Sequence, residues 1–162
     1  MVTLETVLDV LPVASLVVVL AYYSLQIRNQ NRTRQAQLFM QMYNRWRDDT
    51  KGLDFNPVLN TKLSDFTEYQ EKYESDENFR DTVDAYFTFY EGLGVIVKVG
   101  YMDIHLVALI WAGMTRRFYE NIVEPIIDEA KEYWDMPRVW SETVYVCKEL
   151  IRYTDEHPEL RT

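Results

Sequence analysis

Hydrophobic positions along this chain follow two patterns, and the change from one to the other divides it. From Val10 to Ile27, VLPVASLVVVLAYYSLQI, 18 residues run without a charge. Extended back to Val7, the stretch reaches 21 residues and takes in one acid, Asp9. At a helical rise of about 1.5 Å per residue such a stretch spans roughly 30 Å, the hydrocarbon thickness of a bilayer. Apolar on every side, it predicts a single transmembrane helix, with Val10, Leu16, Val19, Leu20 and Leu25 among the side chains in lipid. Pro12 is expected in the first turn, where its missing N–H removes no intrahelical bond. Tyr22 and Tyr23 fall at a suitable headgroup depth. A secretory signal peptide is the first competing reading. It wants a basic start and a small-x-small cleavage site, whereas this chain begins with Glu5 and Asp9 and leaves the stretch through Ala21-Tyr22-Tyr23-Ser24. A buried core helix is the second. It would need a larger body than the remaining residues supply.

The polar run 28–37, RNQNRTRQAQ, has no glycine, proline or apolar stripe. It predicts a helical stalk continuing out of the membrane, with a flexible tether as the alternative. Leu38, Phe39, Met42, Tyr43 and Trp46 then share one helical face. That face is expected to dock on the following domain and link stalk and domain mechanically. The organisation is therefore an N-terminal tail and span over 1–27, a juxtamembrane stalk over 28–48, and a helical domain over 49–162.

Inside the domain the pattern is amphipathic. Gly52 and Asn56-Pro57 read as turns. A short helix is expected over about 64–74, with Phe66, Tyr69 and Tyr73 on one side. Ser75-Asp76 caps the next helix, about 77–98, whose stripe Phe79, Val83, Tyr86, Phe87, Tyr90, Leu93 and Val97 advances in steps of three and four. Gly92 and Gly94 interrupt it, each costing up to about 1 kcal/mol against alanine; close approach of a neighbouring helix would account for them. VIVKV over 95–99 could alternatively form a strand, but one strand has nothing to pair with. Gly100 is a helix stop. Asp103 caps a helix through Trp111 and Phe118, and the tight 100–102 link predicts an antiparallel hairpin with its predecessor. Pro125 should kink or restart the helix. Asp135 and Pro137 mark a further start, and the last helix carries Trp140, Val144, Cys147, Leu150 and Ile151 as far as His157-Pro158. The fold class is all-α: one transmembrane helix, a stalk, and a cytoplasmic bundle of four or five helices.

Charge sharpens this division. Residues 1–50 carry five arginines against four acids, and residues 51–162 carry a net −10. Arg28, Arg32 and Arg34 follow the span directly, whereas the first nine residues hold no lysine or arginine. By the positive-inside rule the N-terminus lies outside and the bulk of the chain is cytoplasmic, with those three arginines contacting anionic headgroups. The acidic body disfavours nucleic acid as a partner. A single cysteine, Cys147, excludes an intramolecular disulfide and a cysteine-based zinc site.

The span 10–27, the stalk RNQNRTRQAQLFMQMYNRW, the segment YFTFYEGLGVIVKVGYMD and the helix around Trp111 leading to EPII together resemble an uncharacterised family of small prokaryotic proteins. The resemblance implies an N-terminal membrane helix and an all-helical cytoplasmic domain. It implies no activity and transfers no functional residue.

The candidate chemistry is sparse. Glu120, Glu124, Asp128 and Glu132 recur at four-residue steps. A helical di-metal site needs Glu-x-x-His, and Met102 and Thr154 stand three before His105 and His157, so a solvated acidic face is the better reading. His105 beside Asp103 has no nucleophile placed by spacing. Gly92-x-Gly94 lacks the third glycine of a dinucleotide loop, since position 97 is Val97. Arg116-Arg117 is expected to pair with nearby acids. Tyr69, Tyr73, Tyr119, Tyr133, Tyr145 and Tyr153 are candidates for an aromatic docking patch. No catalytic, cofactor-binding or metal residue is assigned, and no cofactor is expected. The reading is a membrane-anchored accessory or interaction subunit with a protein partner and lipid as its environment. The alternatives are a carboxylate-based metal protein or enzyme using Glu91, Glu124 and Asp128, and a small-ligand sensor signalling through the stalk.

Overall fold

A computed structural model of the chain describes residues 4–160, with the side chains of 4–11 and of Ala14 outside the description. Among the described residues all regular structure is helical. The chain forms two compact units, Met1–Leu38 and Phe39–Thr162. The first helix, α1 (Leu4–Asp49), runs through the boundary between them.

In the first unit α1 has no core to cover. Every described side chain from Pro12 to Arg34 is exposed, Val18 at 67% and Leu16 at 59% among them. Residues 28–37 are helical, as the stalk reading requires. Of the span residues, Leu16, Val19, Leu20 and Leu25 are exposed, and the Val10 side chain lies outside the described residues. Pro12 is not in the first turn. The helix begins at Leu4 and the proline sits in its interior, where its ring removes an N–H that the ladder would use. The Ser15 hydroxyl donates to the Pro12 carbonyl at 2.8 Å. Among the described residues no helix is long and apolar enough to cross a membrane. Val10, Leu11 and Ala14, all within the apolar stretch, fall outside that set.

The second unit is built from the end of α1 and six further helices: α2 (Phe55–Asn60), α3 (Phe66–Ser75), α4 (Glu77–Lys98), α5 (Ile104–Phe118), α6 (Glu124–Tyr133) and α7 (Ser141–Glu156). That exceeds the expected four or five because Asn56-Pro57 is not a turn. It lies in the first turn of α2, where proline is tolerated and the Asp54 carboxylate accepts the Asn56 N–H. Asp65, Asp76 and Asp103 cap α3, α4 and α5 in the same way, the last two as the sequence predicts.

Pro125 restarts the helix as expected, and the structure shows how. A π-turn, Tyr119–Val123, separates α5 from α6. Proline has no N–H for the Asn121 carbonyl four residues back. That carbonyl instead accepts the Leu63 N–H at 3.0 Å, and the Asn121 amide donates to the Leu59 carbonyl at 2.7 Å. The missing helical bond thus fastens the α2–α3 connection.

The expected start at Asp135 is displaced. Asp135 and Trp140 both have φ of +50°, and these two left-handed residues bracket a turn that delays α7 until Ser141. The expected α4–α5 pairing is present, and its contacts run antiparallel from the 99–103 link: Phe89 meets Trp111, and Tyr86 meets Met114 and Phe118. Helix α7 packs closest against each of these two helices, while α4 and α5 meet through long aromatic side chains. Tyr86 and Tyr90 stack on Phe118, with centroids at 4.8 and 5.4 Å. These rings are buried with Trp111, Ile122, Ile126 and Leu150 in one core. Removing such a side chain from water contributes about 1.5–3 kcal/mol each. Tyr90 donates to the Thr115 hydroxyl at 2.7 Å, which in turn donates to the Trp111 carbonyl at 2.7 Å, so the buried hydroxyls are satisfied.

Candidate functional site

One face of α4 receives the start of α7. Trp140, the residue before α7, supplies no side-chain cap. Glu91 of α4 takes that role: its carboxylate accepts the Thr143 N–H at 2.8 Å, with the Glu142 N–H as a further favourable contact. Burial holds the Glu91 carboxyl above the usual carboxylate range, although those backbone donors pull the other way. One turn on, a Cβ at Gly94 would lie 2.3 Å from the Glu142 carbonyl oxygen, so only glycine admits α7 here. Lys98 closes the row, 3.0 Å from the Glu142 carboxylate. The close approach expected for the two glycines is therefore real for Gly94. Gly92 has nothing within 4 Å.

Gly92 lies instead in an apolar groove of about 470 Å³ between the end of α1 and α4, lined also by Met42, Trp46, Ala85 and Phe89. Trp46 packs against Phe89 at 4.6 Å and against Tyr86 at 5.0 Å, which fixes the wall. The rim carries Arg45 and Asp49, paired at 3.3 Å, and Asp84. The Leu38–Trp46 stripe read from sequence is used as expected at Phe39 and Tyr43, whose rings meet Trp111 at 5.6 and 6.1 Å.

A second recess, about 210 Å³, lies between α3, α4 and the 134–140 turn. Tyr69, Tyr73, Trp134 and Trp140 contribute its rings, and Asp84 and Glu74 its charges. Trp140 stacks flat on Phe87, with centroids at 3.8 Å and planes at 12°, and Trp134 stands perpendicular to it at 5.1 Å. The Tyr73 hydroxyl donates to Asp84 at 2.8 Å. The Tyr69 and Tyr73 hydroxyls are both held above the ordinary phenol range, by burial first and then by the Asp84 charge.

The other candidates resolve one by one. Glu120, Glu124, Asp128 and Glu132 are exposed; Glu120 pairs with Arg116 at 3.2 Å and Asp128 with Lys131 at 2.9 Å. Among the described residues no three His, Cys, Asp or Glu side chains converge as metal ligands would. The Asp103 carboxylate accepts the His105 backbone N–H, and the His105 ring meets the Tyr153 hydroxyl at 3.0 Å, which is a capping arrangement. Residues 92–94 lie within α4 and form no loop. Arg116 also pairs with Asp155. Cys147 is fully buried, and burial pushes its thiol well up, so it is a core residue. Of the six tyrosines named for a docking patch, Tyr133 is exposed, at 64%, while Tyr69 and Tyr119 are buried. Sequence reasoning missed Trp134 and Trp140 as a site because it placed Trp140 inside the last helix. The signal available was two tryptophans flanking Asp135 and Pro137.

Among the described residues the fold is all-helical, and the two recesses described above are lined largely by aromatic and apolar side chains. Residues 11–150 match a domain of unknown function, DUF4760, and the chain belongs to that family. No curated protein and no solved structure matches the chain.

Proposed function

We propose that the protein is a single-pass membrane protein whose acidic helical unit serves as a non-catalytic interaction or accessory subunit. The N-terminus lies outside, the span covers 10–27, and Arg28, Arg32 and Arg34 contact headgroups on the cytoplasmic side. One observation carries the reading: consecutive apolar side chains from Leu16 to Leu20 are all exposed, around the full circumference of α1. Water would penalise such a helix at about 25 cal/mol per Å² of apolar surface, and lipid would not. The family match runs from residue 11 to 150 and so takes in most of this stretch.

The Gly92 groove is the proposed contact surface. A glycine inside a helix costs about 1 kcal/mol against alanine, and nothing within the fold requires it at this position. A groove floor without a side chain admits a partner helix at close range.

Two measurements test the reading. The full chain should remain in the pellet after alkaline carbonate extraction of membranes. Protease added to intact cells should leave the acidic unit whole. Release into the carbonate supernatant, or digestion from outside, would overturn the anchoring and the orientation respectively.

A further inference from the structure

We propose that the recess between α3, α4 and the 134–140 turn binds a small quaternary ammonium cation of the choline type, through the rings of Tyr69, Trp134 and Trp140 and the carboxylates of Asp84 and Glu74. This inference concerns the helical unit alone and stands independently of the membrane anchor.

Size is the first argument. At about 210 Å³ the recess lies below the roughly 300–1,000 Å³ of pockets for drug-sized ligands. It suits a headgroup.

Ring geometry is the second. Trp134 and Trp140 are perpendicular at 89°, and Tyr69 stands at 72° to Trp140, with centroids at 6.2 Å. Rings so arranged enclose a corner, which is how aromatic side chains surround a compact cation. Phe87 fixes Trp140 from behind, and Phe66 contacts both Tyr69 and Trp134, so the walls are held before any ligand arrives.

Charge is the third. Asp84 and Glu74 line the recess, and no lysine or arginine does. Arg80, the nearby cation on α4, is engaged by Glu77 at 3.9 Å and Asp81 at 3.6 Å. Asp84 is held in place by the Tyr73 hydroxyl. Burial is the main cause of the raised Tyr69 and Tyr73 hydroxyls; Asp84 adds to it at both, and Arg80 opposes it at Tyr73.

Backbone conformation is the fourth. Trp140 has φ +50° and ψ +28°, a left-handed conformation that is unfavourable for a bulky residue and free for glycine. Strain of this kind concentrates at functional sites. Glycine here would relieve the backbone and lose the ring.

The chemistry also sets a preference. A methylated ammonium sheds its hydration more readily than a primary ammonium, so it gains more from ring faces. Asp84 and Glu74 repel a ligand with an anionic end. The order expected is choline above glycine betaine and phosphocholine.

The test uses the full chain in maltoside micelles, which carry no choline headgroup. Choline is titrated by calorimetry and by the indole N–H resonances of Trp134 and Trp140. A dissociation constant of about 1 mM is expected. The neutral isostere 3,3-dimethyl-1-butanol should bind at least about tenfold more weakly. Trp134 is 38% exposed, so it can be truncated without opening the core. Trp134→Ala should weaken choline at least about tenfold, Trp134→Phe within about threefold, and Asp84→Asn about fivefold. Equal binding of alcohol and choline, no binding of choline at about 100 mM, or unchanged binding by Trp134→Ala would each overturn the proposal. Tighter binding of betaine or phosphocholine would overturn the role given to the carboxylates. Should Trp134→Ala fail to fold, the isostere comparison and Asp84→Asn decide alone.

Discussion

Two helical stretches that both carry many apolar residues are treated in opposite ways. From Leu16 to Leu20 the aliphatic side chains of α1 are exposed in every direction. In α4, Phe79, Val83, Tyr86, Phe87, Tyr90 and Leu93 are buried, and Asp81, Asp84 and Thr88 face water. The difference lies in periodicity as well as in polar content: α4 carries six charged residues, and the stretch from Val10 to Ile27 carries none. A stripe at steps of three and four points one face at a protein core. A continuous run has no polar face to offer water, and on the proposed reading its solvent is hydrocarbon. The first unit is thus read by its solvent and the second by its packing.

The sharpest way to break that contrast is to give the first unit a charge. Val17→Arg combined with Val18→Arg places two cations mid-span, at about 2.5–3.5 kcal/mol each on insertion scales. The expected outcome is loss of membrane retention, measured as transfer of the protein from the carbonate-resistant pellet to the supernatant. Helical content of the second unit by circular dichroism should be unchanged. If the variant remained in the pellet, the stretch would not be held by lipid.

The second unit should respond to packing instead. Gly94→Ala forces a methyl against the Glu142 carbonyl and should cost about 1–3 kcal/mol in denaturant unfolding. Gly92→Ala meets nothing and should gain up to about 1 kcal/mol of stability, while reducing capture of the native partner. Equal effects at the two positions would remove the basis for assigning them different roles.

Glu91 sharpens the packing side of the comparison further. Glu91→Ala removes the acceptor at the start of α7 and should cost about 1 kcal/mol. Glu91→Gln keeps an acceptor oxygen and removes the charge. The folded carboxyl titrates above its unfolded value. Its contribution to stability is therefore full below the unfolded value and is lost as pH rises through the folded one. The stability of Glu91→Gln relative to the natural chain should accordingly rise across that window, read from paired denaturation midpoints between acid and neutral pH. A flat difference would show that the charge carries no burial cost.

Much of the helical frame was legible because its signals are local. The stripe of α4, the Asp76 and Asp103 caps, the Gly100 stop and the Pro125 restart each depend on residues within a few positions of one another. Where the sequence misled, the deciding partner was distant. Asn56-Pro57 is the exception: it looks like a turn, and the feature that makes it a helix start, the Asp54 cap, is local. Glu91 looks like a surface acid until Thr143 arrives from α7. Helix α7 packs closest against both α4 and α5, and no spacing between residues 98 and 104 could announce that. The tryptophan recess was hidden for a related reason: the sequence marks a new helix start at Asp135 and Pro137, and two left-handed residues, neither of them glycine, delay it to Ser141.

The smallest effect tests that last point. Helices α4 and α6 end in the same motif. After α4, Gly100 N–H donates to Val97 and Tyr101 N–H to Ile96; after α6, Asp135 N–H donates to Glu132 and Met136 N–H to Lys131. Both are Schellman closures, and both place the residue after the cap in the left-handed region, at φ +77° for Gly100 and +50° for Asp135. Glycine carries no Cβ penalty there and aspartate carries part of one. Asp135→Gly should therefore stabilise the second unit by about 0.5–1 kcal/mol, and Gly100→Ala should destabilise it by a similar amount, in opposite shifts of the thermal midpoint. If the recess needs the turn held as it is, Asp135→Gly should leave choline affinity unchanged, because it relaxes the same conformation and does not replace it. A stabilised protein with a weakened recess would mean that the aspartate side chain itself, and not the backbone it tolerates, sets the tryptophans in place.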